Sequence, residues 1–285
     1  MPTRREFLTT AAAGVAATIA SQQSVWARAR PGAKFKVGVT DWNLNLEGDP
    51  RAVALAKELG FDGVQFSLSN KNGKDWVGDD VLDAFVAESK RLQLPLASVC
   101  LNILHRNYLK SDPLGPRRVA DAIGMAHRVG VQVILLPFFG PGALKTTAEM
   151  DFVGDALKEL GPDAQKAGVI LGLEDTISAK DNVRIMERSQ SPAVLTYYDV
   201  GNSTAGGFDV VQEIRWLGKD RICEMHLKDN PHYLGEGKIN FPAVVEAMSS
   251  IGFDRWAELE TDAPKELKSD MRRNLGFIRD LAAKA

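Results

Sequence analysis

Short runs of β-branched and aliphatic residues alternate along the chain with longer stretches whose apolar positions recur at helical spacing. The short runs are KVGVT (36–40), GVQFSL (63–68), PLASVCL (95–101), VQVILLPFF (131–139), GVILGLE (168–174), AVLTYYD (193–199), RICEMHLK (221–228) and RWAELE (255–260). Nearly continuous apolar character over so few residues predicts strands covered on both faces. Among the intervening stretches, PRAVALAKELG (50–60) carries Val53, Ala56 and Leu59 on one helical face, and 79–93 and 116–130 show the same period. Gly60 and Gly130 close the first and third of these, as a helix C′ position requires. A further helix is predicted at about 241–250.

Buried strands alternating with helices imply a parallel sheet with helices packed on it. Eight units in 285 residues favour closure into a single (β/α)8 TIM barrel, over residues 34–285, above an open doubly wound sheet. No G-x-G-x-x-G follows the first run, which weakens a dinucleotide-binding reading. No linker or short repeat interrupts the pattern.

The composition changes this picture little. Apolar residues make up 45% and charged residues 25%, ordinary for a globular domain. The formal charge of −2 exerts no general pull on nucleic-acid backbones, so nucleic acid is not an expected partner. The two cysteines, Cys100 and Cys223, fall in the third and seventh runs, far apart around a ring. Buried free thiols are expected rather than a disulfide.

In the C-terminal half four successive runs close on a metal-ligand type: Glu174 in VILGLED, Asp199 in VLTYYDVGN, His226 in ICEMHLKDN and Glu260 in WAELETD. A barrel delivers the residues at its strand ends to one mouth. Three carboxylates and an imidazole there suit a divalent cation, Mn²⁺ or Mg²⁺ first and Zn²⁺ as the alternative. Glu258 competes with Glu260, since the two point to the same side of a strand. Position nearer the C-terminal end of the strand selects Glu260.

The stretch 225–260 holds His226, Lys228 and Asp229, then Leu234-Gly235-Glu236-Gly237, then Gly252-Phe253-Asp254-Arg255-Trp256 and Glu260 four residues later. It resembles the xylose-isomerase-like (sugar phosphate isomerase/epimerase) TIM-barrel superfamily, with its H-x-K-D, L-G-x-G and G-[YF]-x-G-W patterns; Arg255 departs from the last of these. The resemblance runs from about residue 35 to the C-terminus. It implies that Glu174, Asp199, His226 and Glu260 are metal ligands, with Glu174 and Glu260 also acting as acid and base. The spacing of Glu260 from Trp256 supports the same choice over Glu258.

A divalent ion holding a keto-sugar carbonyl and its neighbouring hydroxyl stabilises the enediolate left when the adjacent C–H proton is removed, and two carboxylates can take and return that proton. Return to the same carbon from the opposite face gives epimerisation; return to the next carbon gives isomerisation. Loss of a β-substituent makes the enzyme a lyase or dehydratase acting on an inosose or 3-keto-glycoside. The ligands do not choose among these outcomes. Substrate contacts are expected from His105, Lys228, Asn202 and Trp42. Asn102, Asn43, Phe138 and Phe139 could also face a sugar, although His105 could equally be an ordinary loop histidine, Phe138 plain core, and Lys228 a partner of Asp229 or Glu224. A sugar-binding protein without turnover is the non-enzymatic alternative. The related zinc-dependent apurinic endonucleases need more histidines than the four present, and Asn202 and Pro231 stand where two of theirs would fall.

The N-terminus carries Arg4-Arg5-Glu6-Phe7-Leu8, a weakly apolar segment from Thr9 to Ala20, and Val25-Trp26-Ala27. It resembles a twin-arginine export signal over residues 1–27. That implies the twin-arginine machinery as a partner and a folded, periplasmic or secreted product. The apolar segment is too short to span a bilayer. Export favours a free sugar, a cyclitol or a keto-glycoside as substrate, and a homo-oligomer is compatible with the reading.

Overall fold

A computed structural model describes residues 32–69 and 76–285; the leader expected over residues 1–27 lies outside the described residues. The strands are β1 (Lys36–Thr40), β2 (Gly63–Ser67), β3 (Leu96–Cys100), β4 (Val133–Pro137), β5 (Ile170–Glu174), β6 (Val194–Asp199), β7 (Ile222–Leu227) and β8 (Trp256–Leu259). Each pairs in parallel with the next, and β1 pairs with β8 through Val37 opposite Ala257 and Gly38 opposite Glu258. The chain is a single (β/α)8 TIM barrel. The predicted runs overshoot the strands by one or two residues at several ends, where the parallel ladder gives way to loop. Glu260 follows the last strand residue, yet its N–H still donates to the Leu227 carbonyl at 3.2 Å.

Among the described residues the principal helices are α1 (Arg51–Leu59), α2 (Asp79–Leu92), α3 (Leu114–Val129), α4 (Thr147–Ala167), α5 (Ala179–Ser189), α6 (Val200–Ala205), α7 (Val210–Leu217), α8 (Phe241–Ser250) and α9 (Leu267–Ala282). Gly60 and Gly130 stop α1 and α3 in left-handed conformations, φ 93° and 78°, which a side chain would oppose. α3 begins ahead of the predicted 116: Pro116 sits in the first turn, where the missing N–H has no intrahelical acceptor to lose.

Strand alternation divides the core in two. Outward residues such as Val39, Phe66, Ile134, Leu171 and Met225 join one large cluster with the helices. Cys100, Val133, Leu135, Leu195, Tyr197 and Cys223 form a second, smaller cluster inside the ring. Both thiols are therefore free and buried as expected, but they share this inner cluster rather than lying in separate surroundings, because both project inward. Gly172 makes room there: a Cβ on it would lie 2.8 Å from Cys223 Sγ and 3.2 Å from Tyr197 Cβ. No helix among the described residues is long and apolar enough to cross a membrane.

Candidate metal centre

β5, β6, β7 and the residue after β8 bring Glu174, Asp199, His226 and Glu260 together, with one ligand atom from each within 4.8 Å of all the others. His226 Nδ1 lies 2.9 Å from Glu174 Oε1, 3.4 Å from Glu260 Oε2 and 3.8 Å from Asp199 Oδ2. Glu174, Asp199 and His226 are buried. Glu260 is half-buried at the edge of a cavity of about 460 Å³, a volume suited to a small ligand.

Each ligand is held from outside the cluster. Asp199 ends β6 and caps α6, accepting the Asn202 N–H at 2.8 Å through Oδ1. The Asn202 side chain donates to Glu174 Oε1 at 3.4 Å. Trp42 Nε1 donates to Glu260 Oε1 at 3.1 Å, and its ring meets that of His226 edge-on at 5.8 Å. Trp42 thus orients a candidate ligand as well as lining the cavity. Gln65 Oε1 faces His226 Nε2 at 2.8 Å.

Burial disfavours a charged His226, yet Glu260 and Glu174 overcome it and raise its pKa to about 9. Burial pushes the Asp199 carboxyl up while Lys228 pulls it down. Lys228 Nζ lies 2.7 Å from Asp199 Oδ2 and 2.5 Å from Glu260 Oε2. The pairing of Lys228 with Asp229 or Glu224 weighed from the sequence is thus replaced by one with two of the quartet. Gly201 permits it, since a Cβ there would lie 2.4 Å from Lys228 Cγ. Three carboxylates gathered around one imidazole are a donor set that fits a divalent cation, which Glu174, Asp199, His226 and Glu260 would hold.

Asp229 has a different task. Its carboxylate accepts N–H bonds from Gly235, Gly237 and Lys238 at 3.1, 2.8 and 3.1 Å. A Cβ on Gly237 would fall 2.2 Å from Asp229 Oδ1, and Gly235 has φ 82°. The Leu-Gly-Glu-Gly turn is therefore the wrapping of the chain around the Asp229 carboxylate. Glu258 lies inside the barrel, fully buried, and accepts the Tyr197 hydroxyl at 2.7 Å through Oε2.

His105, Asn102, Phe139, Asn202, Lys228 and Trp42 line the cavity. Burial lowers the His105 pKa, so its ring is neutral and open to hydrogen bonding. Phe138 is core. Asn43 does not wall the cavity: its amide donates to the Thr261 carbonyl at 2.8 Å and accepts the Thr40 hydroxyl, tying the loop after β1 to the end of β8. Glu47, Ser67 and Pro137 also line the cavity and were not singled out in the sequence. Glu47 accepts from Asn102 at 2.6 Å; lying in an acidic loop, it carries no distinguishing signal.

The chain belongs to the Xylose isomerase-like TIM barrel family, whose pattern matches residues 53–281. It is 26% identical over 201 residues to 2-epi-5-epi-valiolone 7-phosphate 2-epimerase of an Actinoplanes species, covering 69% of this chain and 73% of that protein. It is 26% identical over 246 residues to an L-ribulose-5-phosphate 3-epimerase of Salmonella heidelberg, covering 76% and 85%. The structure of D-psicose 3-epimerase with D-tagatose from Clostridium cellulolyticum H10 superposes with a TM-score of 0.73 at 15% identity, covering 87% and 99%; at that identity the likeness is one of fold. These relatives and this structural neighbour are epimerases by name, which supports the expectation of an isomerase or epimerase.

Proposed function

We propose that this chain is a divalent-metal-dependent epimerase or isomerase of a keto-sugar, working by proton abstraction beside a carbonyl. The convergence of Glu174, Asp199, His226 and Glu260, with Glu174 and Glu260 lining the cavity, carries the reading, and the epimerase relatives support it. Glu174, Asp199, His226 and Glu260 are the residues that hold the cation, Mn²⁺ or Mg²⁺ before Zn²⁺. When bound, it supplies Lewis-acid stabilisation of negative charge on the substrate oxygens.

The chain's own groups do the rest. Glu174 takes the proton at one carboxylate oxygen and Glu260 returns one, or the reverse for the other epimer. Trp42 Nε1 holds Glu260 Oε1, and Oε2 is the oxygen turned into the ligand cluster, 3.4 Å from His226 Nδ1. Lys228 Nζ, beside Glu260, binds a substrate oxygen as charge develops on it. His105 and Asn202 bind hydroxyls, and the Trp42 and Phe139 rings exclude water from the reacting carbon.

The proposal includes the leader. Residues 1–27 direct export by the twin-arginine route, the mature chain begins after Ala27, and residues 34–285 act in the periplasm or outside the cell. Two relatives are named for phosphorylated substrates; an exported enzyme points instead to a free ketose, a cyclitol or a keto-glycoside. The deciding experiment is metal analysis of native protein, followed by NMR in D₂O over a panel of ketoses, inososes and 3-keto-glycosides. Deuterium incorporation beside a carbonyl, with an epimer or isomer accumulating, is expected. Sugar binding without exchange overturns the reading in favour of a binding protein. Mature periplasmic protein that still carries Arg4 and Arg5 overturns the leader.

A further inference from the structure

Directly beneath the ligand cluster, five polar side chains from five strands meet inside the barrel: Gln65, Ser98, Tyr197, His226 and Glu258, each no more than 1% exposed. No bulk solvent reorients them, so their hydrogen bonds must agree with one another. Tyr197 has one hydroxyl proton and donates it to Glu258 Oε2 at 2.7 Å; toward Gln65 the phenol oxygen is therefore an acceptor. Gln65 Nε2 donates both its protons, to Ser98 Oγ at 2.8 Å and to the Tyr197 oxygen at 3.0 Å. A flipped amide would set its oxygen against the Tyr197 lone pair, so Oε1 is left facing His226 Nε2 at 2.8 Å. An amide oxygen only accepts, so Nε2 carries a proton against it; at Nδ1, which faces the Glu174 carboxylate at 2.9 Å, a bound cation would take the place of a proton.

We propose that Gln65 is a positioning residue that locks His226 in the Nε2–H form and so assigns Nδ1 as the atom that binds the divalent cation. The proposal rests on the metal-centre reading. Nδ1 is the ring nitrogen facing Glu174, Glu260 and Asp199, and the wrong tautomer would aim an N–H at the cation instead of a lone pair. Metal-bound histidines are commonly oriented by a carboxylate, carbonyl or water. Here Glu224 and Glu258 are already buried in the same interior, and a neutral amide does the same work without a third buried carboxyl.

Titration of Mn²⁺ into metal-stripped wild type, Gln65→Leu and Gln65→Glu tests this, beside long-range ¹H–¹⁵N NMR of the Zn²⁺-loaded wild type. Gln65→Leu should weaken Mn²⁺ binding by about 10- to 100-fold. Gln65→Glu keeps an acceptor for Nε2–H but adds a buried carboxyl and loses the donors to Ser98 and Tyr197, so it should bind Mn²⁺ less tightly than wild type but more tightly than Gln65→Leu. The NMR should place the His226 proton on Nε2 and the metal on Nδ1. A folded Gln65→Leu that binds Mn²⁺ like wild type overturns the proposal, as does equal weakening in both variants or a proton found on Nδ1. If Gln65→Leu does not fold, the wild-type NMR decides alone. Wild type that takes up neither ion removes the metal-centre reading. The Gln65 contact is then read separately in the metal-free protein, where a freely exchanging His226 Nε2 proton removes it too.

Discussion

Glu174 and Glu260 each carry two duties in the proposed reaction, as ligand and as proton carrier. Glu174→Gln and Glu260→Gln keep the size of the side chain but not its basicity, so each should lower solvent-deuterium exchange into the substrate by about a hundredfold or more. Full exchange in either variant takes that residue out of the acid–base role. Lys228 is placed by a neighbour that lacks a side chain. Gly201→Ala puts a methyl group 2.4 Å from Lys228 Cγ and should displace the ammonium from Asp199 and Glu260, lowering kcat/KM with a smaller effect on melting temperature. Unchanged kinetics would show that Lys228 does no work at the site.

α4 shows how local pairs hold an element in place. Thr146 and Glu149 form a capping box, each side chain satisfying the other's backbone N–H, and Lys110 Nζ reaches Glu149 Oε1 at 2.7 Å. Thr146→Ala should cost about 1 kcal/mol, read as a shift in the denaturant midpoint. Lys110 and the Lys145 and Thr146 N–H groups lower the Glu149 pKa from 4.5 to about 2. With its folded value below the unfolded one, Glu149 stabilises the fold above the ordinary carboxylate range, and that contribution is lost as pH falls from about 4.5 toward 2. The stability gap between wild type and Glu149→Ala should therefore be constant near neutrality and shrink in acid. A gap independent of pH would show that the pairing contributes nothing. Element boundaries were legible where punctuation was strong, as at Gly60 and Gly130. The start of α3 was not: Pro116 reads as a beginning, whereas the first turn reaches back to Leu114.

For the whole molecule, a cation at the barrel mouth ties together four segments from separate strands. A ligand that binds only the folded state adds about 2.7 kcal/mol at a hundredfold excess over its Kd, or roughly 5–10 °C in melting temperature for a domain of this size. Melts with Mn²⁺ should exceed those in chelator by that order. Superimposable melts would count against a cation that bridges these segments.

The barrel itself was written in the sequence, because strands buried on both faces must be apolar along their length and helices on one face must repeat every turn. The quartet was legible for a related reason: polar residues closing apolar runs stand out against their neighbours, and Trp256 counts off Glu260 from Glu258. Gln65, Glu47 and the hold of Trp42 on Glu260 carry no such contrast. Gln65 is one polar residue in GVQFS, and it acquires a role only when ring closure sets β2 across from β7, bringing together residues 161 positions apart. Local pattern decided which segments are strands and where they end; only the tertiary structure decided which side chains face each other across the ring, since those contacts depend on register and closure, which no local stretch encodes.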